Sequence, residues 1–205
     1  FVGVVVMDVL NTSQNLLLGI LVGIGIGILV GILNGLVVVK LKVNSLIATL
    51  AMMMILRGAA YAYTQGAIQN YHNIPGFSAI GNGYLGFLPW PIFIMLVISF
   101  FFYLVLHHTT LGRKIHAVGG NPRATLVTGI NVIMIKFVSF IICSVLSSIS
   151  AIILLSRMNS GQNNAGMGFE LTVIAAVLLG GGSLNGGQGS LFGTFLGTLL
   201  LGTIA

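Results

Sequence analysis

Four apolar runs, Leu16–Val39, Ser45–Thr64, Pro91–His107 and Met134–Leu155, decide most of what this chain can fold into. A bilayer's hydrocarbon core is about 30 Å thick and takes roughly 20 apolar residues per crossing helix. The runs meet that length, the third slightly short. Only 5% of the 205 residues are charged, against about 25% in soluble domains. The chain could not present a water-compatible surface as a globule. The expected fold is all-α, a polytopic transmembrane helix bundle forming a single domain over 1–205.

Charge collects in one place. Arg113, Lys114 and Arg123 lie within Thr109–Val132, with His107, His108 and His116 in or just before it and Lys136 soon after. Lys and Arg bias loops toward the cytoplasm, so 109–132 is expected to be a cytoplasmic loop. Alternation puts the link Lys40–Asn44 on the same side, and Lys40 and Lys42 agree with it. The connections 65–90 and 156–169 then face outward as external loops, with Arg157 the one basic residue against the rule. Within the basic loop a short helix is expected over Thr125–Gly129, with Asn121 as N-cap and Pro122 in the first turn. The net charge of +6 is not a nucleic-acid signature, because no soluble basic domain exists to carry it.

Phe1–Leu10 reads as the tail of an earlier element ended by Asp8 and the polar run Asn11–Asn15, and Ser190–Ala205 as the start of a further helix. Both ends look cut, so the domain is expected to be incomplete at both. Between them, Glu170–Leu179 has too few apolar residues to span the core and runs into GGGSLNGGQG at 180–189. Glycine at that density breaks a helix. A broken or re-entrant helix near the C-terminal end is expected, as transporters build beside cavities; the alternative is a short surface loop. Gly19, Gly23, Gly27, Gly31 and Gly35 recur every fourth residue, a face that lets a neighbouring backbone approach closely.

Arg57 stands twelve residues into its run, about 18 Å at 1.5 Å per residue. It either pairs with Glu170 or Asp8 beside the pathway or extends to the outer headgroups. A neutral polar solute needs amides and hydroxyls, and Asn34, Asn159, Gln162, Asn163, Ser183 and Asn185 are the nearest to the helix ends. The pathway set is therefore Asn34, Arg57, Glu170, Ser183 and Asn185. The glycine-rich run lacks the Lys-Ser/Thr of a phosphate-binding loop. No metal-ligand spacing and no nucleophile–base pair is present, and Met52–Met54 reads as packing filler. The chain is not expected to be an enzyme or to need a cofactor or metal.

Five patterns in order carry a resemblance. They are Asn34-Gly35 with Lys40-Leu41-Lys42-Val43-Asn44; Ile47-Ala48-Thr49-Leu50 with Leu56-Arg57-Gly58; Thr110-Leu111-Gly112-Arg113 with Ala117-Val118-Gly119-Gly120-Asn121; Gly161-Gln162 with Gly168-Phe169-Glu170-Leu171; and Val177-Leu178-Leu179-Gly180-Gly181 with Ser183-Leu184 and Gly186-Gly187. From about Gly31 onward the chain resembles the permease subunits of bacterial ABC importers for ribose, xylose, arabinose and related simple sugars; Phe1–Val30 matches only in character. The resemblance implies a multi-pass protein of the bacterial plasma (inner) membrane. It implies a partner cytoplasmic ABC ATPase, an extracytoplasmic sugar-binding protein and a second permease subunit. It also makes 109–132 the segment that couples to the ATPase, through Gly112, Arg113, Gly119, Gly120, Asn121, Ala124 and Gly129. The competing expectation is an ion-coupled secondary transporter of a small polar solute. Such proteins keep acidic groups near the midplane, whereas Asp8 and Glu170 fall on the outer side here.

Overall fold

The computed structural model describes residues 1–70, 76–183 and 186–204. They are predominantly helical, confirming an all-α bundle. In chain order the helices are α1 Val2–Ser13, α2 Leu16–Gly35, α3 Ser45–Thr64, α4 Phe77–Asn82, α5 Trp90–His108, α6 Thr110–Gly120, α7 Pro122–Val127, α8 Val132–Met158, α9 Phe169–Leu179 and α10 Leu191–Ile204. Among the described residues, four helices are long and apolar enough to cross a membrane: α2 with the π-helical turn Leu36–Lys40 that extends it, α3, α5 and α8. They coincide with the four apolar runs. Residues Phe1–Met95 with Phe137–Ala165 make one compact unit, and Leu96–Lys136 with Gly166–Ala205 a second.

The first unit is organised by the glycine face of α2. A Cβ on Gly19 would lie 2.5 Å from Leu10 of α1, and one on Gly23 would lie 2.9 Å from both Val6 and Ile152. Further along, a Cβ on Gly31 would sit 2.7 Å from Ile141 Cα, and one on Gly35 2.6 Å from the Phe137 ring. Four-residue spacing keeps these positions on one side of the helix, so α2 receives side chains of α1 at one end and meets the α8 main chain directly at Gly31. Val6, Met7, Leu10, Phe77, Ile152 and Leu155 form the buried core around this seam.

The N-terminal element differs from expectation. α1 runs through Asp8 and Asn11 to Ser13, because Thr12 and Ser13 return their hydroxyls to the carbonyls of Asp8 and Val9. The polar run does not end the helix at Leu10. Gln14 ends it in a left-handed conformation, and Asn15 caps α2 by accepting from Leu17 and Leu18.

The connection 65–90 carries short elements of its own. β1, Gln69–Asn70, pairs antiparallel with β4, Ser160–Gly161, and β2, Tyr84–Leu85, with β3, Leu88–Pro89. α4 sits on the end of α8. The fully buried Ser156 hydroxyl donates to the Phe77 carbonyl at 2.5 Å and accepts from the Gly81 N–H at 2.7 Å. Asn82 donates to the carbonyls of Ser156 and Arg157. Ser156→Ala removes both hydroxyl bonds from a dry contact, where each stranded polar group costs about 1–3 kcal/mol. Amide exchange across 77–82 should rise at least tenfold while α2 stays protected. Unchanged exchange there would show that α4 is held by Phe77 packing alone.

In the second unit, 109–132 is not a loop but two helices. Thr109 caps α6, accepting from Gly112 N at 3.3 Å. Gly112 makes the sharp turn out of α5 possible, since a Cβ there would lie 2.2 Å from the Leu106 carbonyl oxygen. Asn121 caps α7 through Arg123 N and Ala124 N, with Pro122 in the first turn. The cap and proline are as expected, but the helix covers Pro122–Val127 and Gly129 lies beyond it at φ 79°. Gly119 and Gly120, read as part of a loop, are helical.

Helical structure is interrupted over the glycine-rich run near the C-terminal end. α9 stops at Leu179, α10 starts at Leu191, and Gly181, Gly186 and Gly187 between them have positive φ. α9 and α10 pack antiparallel: a Cβ on Gly197 would lie 2.2 Å from the Ala176 carbonyl oxygen and one on Gly193 2.0 Å from that of Gly180.

Candidate functional site

The first unit holds a partly open cavity of about 480 Å³ walled by α1, α2, α3, α8 and the stretch 160–165. Small-molecule sites commonly run from about 300 to 1,000 Å³. Its lining includes Asn34 and Arg57, together with Thr49, Ser144, Ser147, Gln162 and Asn163 among apolar side chains. Thus two residues of the expected pathway set, Asn34 on α2 and Arg57 on α3, share one cavity wall.

The hydroxyls on this wall are oriented by their own helices. Ser147 Oγ donates to Cys143 O at 2.9 Å, and Thr49 Oγ1 donates to Ser45 O at 2.8 Å. A hydroxyl carries one proton and two lone pairs; with the proton held by the backbone, what it offers elsewhere is an acceptor. Gln162 Nε2 donates to Ser160 Oγ at 3.1 Å, and Asn163 Nδ2 to Thr64 Oγ1 at 2.7 Å. The Oδ1 atoms of Asn34 and Asn163 are buried without a hydrogen-bond partner among the described residues. Among the described residues, Arg57 is the one Lys, Arg, Asp or Glu side chain in this lining, and the other polar side chains are neutral amides and hydroxyls, a match for a ligand that brings O–H donors.

Arg57 does not share its unit with every acid considered for it. Asp8, on α1, belongs to the same unit and accepts a hydrogen bond from Tyr63 of α3. Glu170 lies in the first turn of α9 in the second unit, where a carboxylate is favoured by the helix dipole. Ser183 follows α9 in the glycine-rich link, and Asn185 falls outside the described residues. The cavity also uses residues the sequence reading passed over. Thr49, Ser144 and Ser147 look like ordinary hydroxyls within apolar runs, although Ser144, Ser147 and Ser148 share one face of α8 by their spacing. Met52 and Met53, read as filler, line the cavity too.

The residues expected to couple to an ATPase lie on α6 and α7 and at their ends. Arg113, Gly120, Asn121, Ala124 and Gly129 are exposed, Gly112 is buried in the α5–α6 turn and Gly119 is half-buried. Thr125, itself buried, donates from Oγ1 to Ala117 O and to Asn121 O, each at 2.8 Å, fixing α7 to the end of α6. Leu126 and Val127 stand 59% and 89% exposed on this otherwise polar pair. They were not singled out from sequence because an isolated Leu-Val carries no pattern.

The family model for the branched-chain amino acid transport system / permease component matches residues 2–205. The resemblance read from Gly31 onward therefore extends back through α1. The ribose import permease protein RbsC of Escherichia coli K12 is 40% identical over 203 residues, 98% of this chain and 63% of that protein. The L-arabinose transport system permease protein AraH of the same organism is 42% identical over 98% of this chain and 61% of its own length. RbsC of Bacillus subtilis is 40% identical over 82% of this chain and 53% of its own. The chain thus spans about three-fifths of the length of the first two relatives. No solved structure matches it. A match that runs from the second residue to the last, on a polytopic helix bundle, places the chain in one family: it belongs to the family of the branched-chain amino acid transport system permease component.

Proposed function

We propose that this chain is the pathway-forming part of a permease subunit of an ABC importer for a simple sugar, working in the plasma membrane. The observation that carries the reading is the cavity beside Asn34 and Arg57, where neutral, acceptor-rich groups meet an apolar wall. A sugar offers many hydroxyl donors and no charge, and it can exchange water for such groups at little net cost. The close relatives, ribose and arabinose permeases by name, point to the same solute class.

In this reading a cytoplasmic ATPase docks on α6–α7, an extracytoplasmic binding protein delivers the sugar, and a second permease subunit completes the pathway, two-fold symmetry being the common arrangement. The exposed Leu126 and Val127 beside Asn121 and Ala124 give the ATPase an apolar contact in a basic surround. ATP hydrolysis belongs to the partner.

The test is reconstitution of the full-length subunit with its ATPase and binding protein in liposomes, followed by uptake of labelled ribose, arabinose, xylose and glucose. Uptake of at least one sugar should require internal ATP and be insensitive to ionophores. Uptake that persists without ATP and collapses with the ion gradient would replace this reading with an ion-coupled transporter.

A further inference from the structure

We infer that Gly119 and Gly187 are positioning residues of a backbone latch that ties α6–α7 to the broken helix α9–α10, passing movement of the polar segment straight into it. The inference rests on the proposed docking of an ATPase at 109–132 and goes beyond it by naming where the motion leaves that segment.

The contact lies wholly within the second unit. A Cβ on Gly119 would fall 2.6 Å from Gly187 N and 2.8 Å from its Cα. In the other direction, a Cβ on Gly187 would fall 2.5 Å from both N and Cα of Gly120. No side chain cushions the junction, so two pieces of main chain bear on each other directly. Atoms packed this way transmit displacement rather than absorb it.

Each half of the latch is braced behind the contact. On one side, the Thr125 hydroxyl locks α7 to α6, and Val118 beside Gly119 is buried. On the other, Gly186 and Gly187 turn the chain at φ 89° and 77°, conformations only glycine adopts readily. Ser183 N–H donates to Gln188 O at 3.0 Å, closing the link at its base. Beyond it, the close approaches at Gly180–Gly193 and Ala176–Gly197 hold α9 against α10. A contiguous series of stiff contacts therefore runs from α7 to the hairpin, which is what energetic coupling requires.

Gly119→Ala in the reconstituted assembly tests this. Sugar moved per ATP hydrolysed should fall at least tenfold, a ratio that a change in ATPase association alone leaves untouched because it lowers transport and hydrolysis together. Gly202→Ala, where a Cβ meets nothing within 4 Å, should leave the ratio unchanged. Gly120→Trp reports on docking separately: it should weaken ATPase co-purification, and an undiminished yield would count against the docking reading rather than the latch. An unchanged transport-to-hydrolysis ratio in Gly119→Ala overturns the latch. Hydrogen exchange on the unmodified assembly covers the case in which that variant does not assemble. Trapping the nucleotide-bound state should alter exchange at 117–121 and at 186–189 together. A change confined to 117–121, or no change at either, overturns the latch equally.

Discussion

Gly31→Ala should be among the most damaging single-methyl changes in this chain. In an exposed helix the substitution would be favourable by about 1 kcal/mol, since alanine is the better helix former. At Gly31 the new methyl would stand 2.7 Å from Ile141 Cα, 3.1 Å from Phe140 O and 3.2 Å from Ile141 N. All three are main-chain atoms of α8, so no rotamer change relieves the clash and the two helices must separate. Overpacking of this kind costs about 1–3 kcal/mol, enough to reverse the sign. Net of the propensity gain the cost is about 2 kcal/mol at the upper end of that range, so the purified protein in detergent should melt lower by roughly 4–8 °C, taking about 2–4 °C per kcal/mol for a chain of this size. Gly25→Ala on the same helix, with nothing within 4 Å, should melt at or slightly above wild type. Equal melting of the two variants would show that α2 and α8 are held by something other than the glycine face.

That contrast between two glycines of one helix marks where sequence reasoning stops. The four-residue period from Gly19 to Gly35 announced a close helix contact, because periodicity is a local property. It did not name the partners, α1 for Gly19 and α8 for Gly31, since those are set by tertiary packing. The same limit explains the errors. Asp8 and Asn11 read as helix enders because polar residues interrupt an apolar run, yet in α1 the hydroxyls of Thr12 and Ser13 satisfy themselves on the helix's own carbonyls. Thr109–Val132 read as a loop because it is polar and carries glycine, whereas the Thr109 and Asn121 caps sustain two helices there. Asn121 was legible as a cap since capping is local. That Gly119 touches Gly187 was not, because 68 residues separate them along the chain.

The site was half legible for a related reason. Asn34 and Arg57 stand out as polar groups in apolar runs, and both line the cavity. Ser147 and Thr49 do not stand out, because a hydroxyl that bonds its own helix costs little anywhere in a membrane span. Their place in the cavity wall emerges only when α1, α2, α3, α8 and the stretch 160–165 converge.

Asn34→Leu should separate stability from transport, moving them in opposite directions. Asn34 is 9% exposed and its Oδ1 has no hydrogen-bond partner among the described residues. A buried acceptor without a donor costs about 1–3 kcal/mol, and leucine removes that cost while filling a similar volume. A side chain kept only for packing would not be retained on those terms. In the full-length, reconstituted subunit, Asn34→Leu should raise the melting temperature by a few degrees, as about 1 kcal/mol would. ATP-dependent sugar uptake should meanwhile fall at least tenfold, because the wall loses an acceptor that the solute's hydroxyls would otherwise satisfy in passage. Asn34→Asp, which keeps the acceptor but adds a charge beside α8, should lower both. If Asn34→Leu gained stability and carried sugar at the wild-type rate, Asn34 would have no part in the pathway and the cavity would lose one of the polar groups that mark it as one.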